Sequence, residues 1–196
     1  MTRPPPRGKL EVTVTYLQMP APQGRPPLPA PLEKLALLRA EQCPIPFYRF
    51  LYNGVGEAWL WDMRRTLPDE MLAPLIQDPK VTIEVAYVGG VPAAFFELDF
   101  RQSGVANIAY FGVMPEFIGR RIGPWLLDVA IRAGWAAEGV RLLTVNTCTF
   151  DHPKALPMYQ RAGFQPVRRD TRLVDDPRLS GVIPRHAAPH IPLARS

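Results

Sequence analysis

A chain of 196 residues with 47% hydrophobic and 21% charged side chains has the size and composition of one folded domain, which excludes wholesale disorder and argues against two full domains. No uninterrupted apolar run reaches the ~18–20 residues that a membrane-spanning helix requires, and the opening MTRPPPRGK lacks the apolar stretch of a signal peptide, so no membrane contact and a cytoplasmic location are expected. The net charge of +5 resides at the ends: residues 161–196 hold seven Arg against three Asp, Arg3 and Arg7 lie near the other end, and the near-neutral body lacks the basic stripe of a nucleic-acid binder. Leu10–Leu17 (LEVTVTYL) is rich in β-branched residues and predicts a first strand. Six prolines between Met19 and Pro31 then impose an extended, irregular loop. Leu35–Arg39 is short and apolar, compatible with strand or helix, with strand preferred.

From Phe47 to Arg65 the large apolar residues Phe47, Phe50, Leu51, Val55 and Trp59 recur at spacings of three and four, the period of one or two helices, interrupted near Gly54 and Gly56. Leu67–Ile76 reads as another short helix. The period then changes to that of strands at 81–88, 93–101 and 106–113, the first two joined by the Gly89-Gly90 hairpin turn. A long helix follows Pro124 and ends near Gly139, a buried strand covers 141–149, a short helix lies within 152–163, and FQPVRR closes the series as a strand. This order predicts a mixed α+β fold with a mostly antiparallel sheet and helices on both faces. The domain is expected to end at residue 169, and 170–196 to form a basic, Pro-containing tail docked on its own domain or on a partner subunit. Cys43 and Cys148 have no neighbouring cysteine, and with only His152, His186 and His190 to join them they make no zinc pattern; two reduced thiols and no metal are expected.

The segment with chemical character is Pro115–Pro124, which leads from a strand into a helix N-terminus and carries Gly119, Arg120, Arg121 and Gly123. Free N–H groups and the positive end of the helix dipole favour an anion there. The spacing is neither GxxxxGK[ST] nor GxGxxG, and a pyrophosphate on another kind of cofactor fits better. Val113–Gly123 (VMPEFIGRRIG) followed by an amphipathic helix resembles the acyl-CoA loop of the GNAT superfamily of N-acyltransferases, usually [Q/R]xxGxG or [Q/R]xxGxA. Ile118 stands where Gln or Arg is commonest and Arg121 where the first motif glycine lies, whereas Gly123 matches. Asp151–Phe164 (DHPKALPMYQRAGF) is similar to the family's later NxxAxxxYxxxGF signature, with Ala155, Tyr159, Gly163 and Phe164 in register and His152 in place of Asn.

This resemblance implies acetyl-CoA as co-substrate, bound by Ile118, Gly119, Arg120, Arg121, Ile122, Gly123 and Pro124 at the loop, with His152 beside it. It further implies that the strand ending at Phe111-Gly112-Val113 splays from its neighbour and offers a backbone N–H near Val113 to the thioester oxygen, and that Tyr159 acts as general acid toward the sulfur. A phenol with an ordinary pKa of ~10 keeps the proton that this role needs. The base is open between Glu97, Asp99 on the same strand, and water; Glu97, flanked by Phe96 and Leu98, is equally readable as a structural carboxylate paired with an arginine. Tyr52, Trp61 and Arg64, in the helices that cover the acceptor, supply aromatic area and a cation suited to an amine with an apolar body or a carboxylate. The expected reaction is acetyl transfer to a primary amine, on a small molecule or a protein, by direct attack in a ternary complex. The alternative is a non-catalytic acyl-CoA-binding sensor of the same fold. A homodimer is compatible with either.

Overall fold

The structure, a computed structural model, describes residues 5–31 and 34–195. Seven strands form one sheet: β1 (Lys9–Met19), β2 (Leu35–Arg39), β3 (Val81–Val88), β4 (Val91–Asp99), β5 (Val105–Val113), β6 (Leu142–Cys148) and β7 (Gln165–Asp175), in the spatial order β2-β3-β4-β5-β6-β1-β7. Every pairing is antiparallel except β5 with β6, which are parallel. Parallel neighbours need a crossover, and the helix α4 (Ile122–Ala136) supplies it.

Adjacent residues of a strand face opposite sides, and Phe95 and Phe96 show the consequence. Phe95 points into a cluster with Tyr48, Leu51, Val55, Leu72 and Ile83, beneath α1 (Ile45–Gly56) and α3 (Asp69–Ile76). Phe96 points the other way, to Leu17, Ile108, Leu126, Leu143 and Phe164, beneath α4 and α5 (Ala155–Arg161). Between α1 and α3 lie a 3-10 turn at Glu57–Trp59 and the four-residue α2 (Met63–Thr66). Among the described residues no helix is long and apolar enough to cross a membrane.

Two expectations change. The helix runs through Gly54 to Gly56, and the break falls at Leu60, whose φ of 58° is left-handed. Gly56 is there for close packing, since a Cβ on it would stand 2.5 Å from Trp61 Cβ. The last strand passes residue 169 and pairs with β1 as far as Asp175 against Lys9. Its side chains are exposed on both faces, so it lacks the alternation by which the sequence reveals a strand.

Beyond β7 the chain folds back, and Ile183, Ala187, Ala188, Ile191 and Ala194 pack with Leu10 and Leu60. Arg178 organises this segment: it grips Asp176 with two bonds of 2.9 and 2.8 Å and donates to the carbonyls of Ala187, Ala188, Ile191 and Pro192. Both side chains are almost fully buried. Removing one partner of a buried pair strands the other charge, a loss of about 3–5 kcal/mol. Arg178→Met should therefore lower the free energy of unfolding in a denaturant titration by about that amount; a change below about 1 kcal/mol would contradict the anchoring role.

Candidate active site

The site begins where two strands part. β5 pairs with β6 only from Val105–Leu142 to Ile108–Val145. Beyond that point β6 stays on β1 and β5 stays on β4, and a gap opens between them. At its edge the unpaired Ala109 makes a bulge opposite Glu97 and Leu98, which adds a residue and re-aims the rest of β5. Ile108 and Phe111, an odd number apart, consequently both face α4, while Tyr110 faces α1.

N–H direction alternates along an antiparallel strand. Met114 N–H donates to Ala93 on the β4 side at 2.8 Å, so Gly112 points the same way and the N–H groups of Phe111 and Val113 point into the gap. Gly112 is needed at this point: a Cβ would run into Val55 Cγ1.

The gap widens into a cavity of about 880 Å³. One end is the loop before α4. Gly119 has φ 88° and Arg121, the residue before α4, has φ 63°, so an arginine takes the left-handed turn for which glycine is the easy choice. Neither N–H has a hydrogen-bond partner among the described residues. Ile118, Gly119, Arg121, Ile122, Gly123 and Pro124 line the cavity together with Phe111, Val113 and His152. Arg120 does not: its guanidinium lies over Phe117, 5.0 Å from the ring centre. Lys154 and Arg161 from the α5 side join Arg121 at the wall. Free donors at a helix start, three cations and an unpaired strand edge together suit a long ligand with phosphates at one end and amides along its length.

Tyr159 projects from α5 into the same cavity, 5% exposed, edge-on to Phe111 and Phe164 at 6.2 and 6.1 Å. Its hydroxyl has no hydrogen-bond partner among the described residues. Burial, and secondarily the carboxylate of Asp151, pushes its pKa well above the ordinary phenol value, so it stays protonated at neutral pH. His152 accepts a hydrogen bond from Lys154 N–H at Nδ1, 3.0 Å, and packs against Trp59. Burial, then the charges of Lys154 and His190, lower its pKa, and it is held neutral. Burial raises the thiols Cys43 and Cys148 to about 11 and about 12, which keeps both out of thiolate chemistry.

Glu97 requires a correction. It does not line the cavity; it is fully buried behind the wall, accepting hydrogen bonds from Tyr48 at 2.6 Å and Arg64 Nη2 at 2.9 Å. Strand alternation is the reason: two residues on from Phe95, Glu97 faces α1 and α2, where a buried carboxylate needs a cation. Arg64, by contrast, lines the cavity; Glu97 engages its Nη2, and its Nη1 is buried without a hydrogen-bond partner among the described residues. It is 9% exposed, paired to Glu97, and its guanidinium lies over Tyr110 and Tyr48 at 5.2 and 5.9 Å. Asp99 does reach the wall, but Arg101 holds its carboxylate below the usual range.

Tyr52 and Trp61 line the cavity, and with Tyr110 they form an aromatic cluster with centroid distances of 5.0–5.3 Å. Sequence reasoning missed two wall carboxylates. Asp151 accepts from Trp61 Nε1, Thr147 Oγ1 and Cys148 N–H. Asp62 sits half-buried at the wall beside Trp61. Its only sequence signal was its place in the aromatic window.

Residues 48–164 match the model of the acetyltransferase (GNAT) family. The chain belongs to that family. Among solved structures, this GNAT chain is similar to a GCN5-related N-acetyltransferase from Kribbella flavida, at 17% identity with a TM-score of 0.57, over 89% of this chain and 63% of that one. A second, from Sphaerobacter thermophilus, is 20% identical with a TM-score of 0.59, over 85% of this chain and 52% of that one. An aminoglycoside acetyltransferase from an uncultured soil metagenomic sample is 18% identical with a TM-score of 0.53, over 66% of this chain and 88% of that one. The chain thus spans a half to two thirds of the first two relatives. At these identities the likeness establishes the GNAT fold. No curated protein matches.

The placement of Glu97 yields a test that separates support from catalysis. Glu97→Gln leaves Arg64 buried without its counter-ion and should destabilise the protein by about 3–5 kcal/mol in denaturant titration. At a temperature where the variant is folded, the acidic limb of its pH–rate profile should remain, because Glu97 is not the titrating group; loss of that limb would reinstate it as base.

Proposed function

We propose that the protein is an N-acetyltransferase that moves the acetyl group of acetyl-CoA to a primary amine by direct attack, both substrates being held in the site together. The observation that carries this reading is the convergence on one cavity of the parted strand edge, the donor-rich loop before α4 and the Tyr159 hydroxyl. Bound acetyl-CoA supplies an activated acyl group as a thioester. The free N–H groups of Gly119 and Arg121, with the side chains of Arg121, Lys154 and Arg161, are suited to its phosphates. The outward N–H groups of Phe111 and Val113 are suited to its amide-bearing arm and to its carbonyl oxygen.

In the balanced reaction the neutral amine attacks, a C–N bond forms and the C–S bond breaks; the nitrogen's proton passes to solvent, and the sulfur takes a proton from Tyr159, which solvent then restores. Tyr159 holds the proton for the sulfur, and its raised pKa keeps it in the donor form. Both thiols are protonated and no acyl relay through the enzyme is needed. A small-molecule acceptor is in line with the neighbouring aminoglycoside acetyltransferase, of which a complex with sisomicin exists. The alternative of a binding-only module rested on Ile118, Arg121 and His152. Arg121 takes the left-handed path and the other two stand at the cavity wall, so no observation favours it.

Calorimetry with acetyl-CoA should give a dissociation constant in roughly the micromolar range, and Tyr159→Phe should preserve it while lowering kcat by about 10²–10⁴-fold. Unchanged turnover in the variant would remove Tyr159 as the acid. Absence of acetyl-CoA binding to the wild type would overturn the whole reading.

A further inference from the structure

The cavity does not end at the parted strands. Val12 and Val14 of β1 and Arg172 and Val174 of β7 line it as well, so its floor continues across β6 and β1 to the edge of the sheet. The register places these side chains on one face. Leu17 and Met19 pack under α4, so Val12 and Val14, an odd number away, face the α1 side. Cys148 stands opposite Val14, Arg172 opposite Val12, and Val174 opposite Leu10, and paired residues share that face. Neighbouring strands lie about 4.8 Å apart, so from β6 to β7 this trough adds roughly 10 Å of floor beyond the gap.

Most of the added floor is hydrocarbon. Val12, Val14 and Val174 form it, and Leu60 and Phe150 line the same cavity. Trp59 is packed against His152 and His190 at 5.3 and 5.2 Å, and Leu60 against Leu10 and Ile183, so the trough is preformed. Its far end is a cation. Among the described residues Arg172 is in no ion pair, and the carboxylates of its own strand are engaged elsewhere: Asp175 by Lys9 at 2.7 Å and Asp170 by Arg168 at 3.5 Å. Arg64, the other cation on the acceptor side, already has Glu97 as its counter-charge, although its Nη1 is without a partner.

An apolar floor is covered best by an apolar ligand, and a guanidinium at its end favours an anion over a methyl group. A short amine held at the thioester would leave both unused. A long acyl chain lying in the trough would bring hydrocarbon to Arg172, which gains nothing from it. We propose that the acceptor is an elongated ω-amino carboxylate, its amine at the parted strands, its hydrocarbon on Val12, Val14 and Val174, and its carboxylate at Arg172. This assignment rests on the acyltransferase reading.

The test measures kcat/KM with acetyl-CoA for propylamine, octylamine, 4-aminobutyrate and 8-aminooctanoate in wild type, Val14→Phe and Arg172→Gln. Ratios between acceptors within one variant cancel any loss of folded enzyme. In the wild type 8-aminooctanoate should exceed octylamine by about threefold or more, the scale of a partly exposed ion pair. Octylamine should exceed propylamine by about tenfold or more, since it buries five further methylenes. Arg172→Gln should bring the first ratio to about one, and Val14→Phe should lower the second by about fivefold or more.

Long and short amines used alike, or 4-aminobutyrate preferred to 8-aminooctanoate, overturns the acceptor class and leaves the acetyltransferase standing. A carboxylate preference that survives Arg172→Gln puts that group on Arg64 and overturns it too. So does octanoyl-CoA serving as well as acetyl-CoA with Val14→Phe acting on that donor alone, because the trough then belongs to the acyl chain. If none of the amines is acetylated, calorimetry with 8-acetamidooctanoate, the product of the proposed acceptor, in the presence of CoA decides. Binding that weakens about threefold or more in Arg172→Gln supports the trough, and no binding, or binding indifferent to Arg172, overturns it.

Discussion

Four residues of parallel pairing hold β5 to β6, and the site exists because that pairing stops at Ile108 and Val145. Each backbone group left unpaired beyond that point forgoes about 1 kcal/mol of net hydrogen bonding, which a protein accepts where water or a ligand can take the place of the neighbouring strand. The bulge at Ala109 makes the parting sharp, since it breaks the register with β4 at the same level. Gly112 then admits Val55, and through it α1, close against β5. The position of α1 relative to the strand edge therefore follows from one local irregularity of the sheet.

Two buried ion pairs fix the acceptor wall from opposite sides. Arg64 ties α2 to the sheet through Glu97, deep under Tyr48. Arg178 and Asp176 set the path of the C-terminal segment, which returns to the same region: Leu60 packs with Ile183, Arg65 donates to the Val182 carbonyl, and His190 meets Trp59. Residues 57–65 are thus clasped between β4 and the chain's own end. A buried ion pair adds little net stability over an apolar pair of equal volume, but its geometry is exacting, and geometry is what a preformed wall requires.

Most strands were legible because alternation and β-branching report a half-buried surface directly. β7 was only partly so. Its Arg168, Arg169, Asp170 and Arg172 are exposed on both faces, and a strand without a buried face leaves no periodic trace. Gly54 and Gly56 were read as breaks because glycine is a poor helix former, yet they serve close contacts with Met114 and Trp61 that no local pattern encodes. The cofactor end of the site was readable from two contiguous signatures. The acceptor end was not, since it is assembled from segments far apart in the chain. Apolar neighbours marked Glu97 as buried but could not say that the chain between α1 and α3 would bring Arg64 over it. Asp62 stood in an aromatic window where one carboxylate in a turn is unremarkable.

The cavity wall carries charges of both signs. Arg121 comes from the loop before α4 and Lys154 and Arg161 from the α5 side, Arg64 and Asp62 come from α2 and the residue before it, Asp99 from the end of β4, and Asp151 from the turn after β6. The cations around the loop add to the positive end of α4, so the field there favours an anion before any specific contact is made. The unpaired edge of β5 then needs only to hold what that field has drawn in.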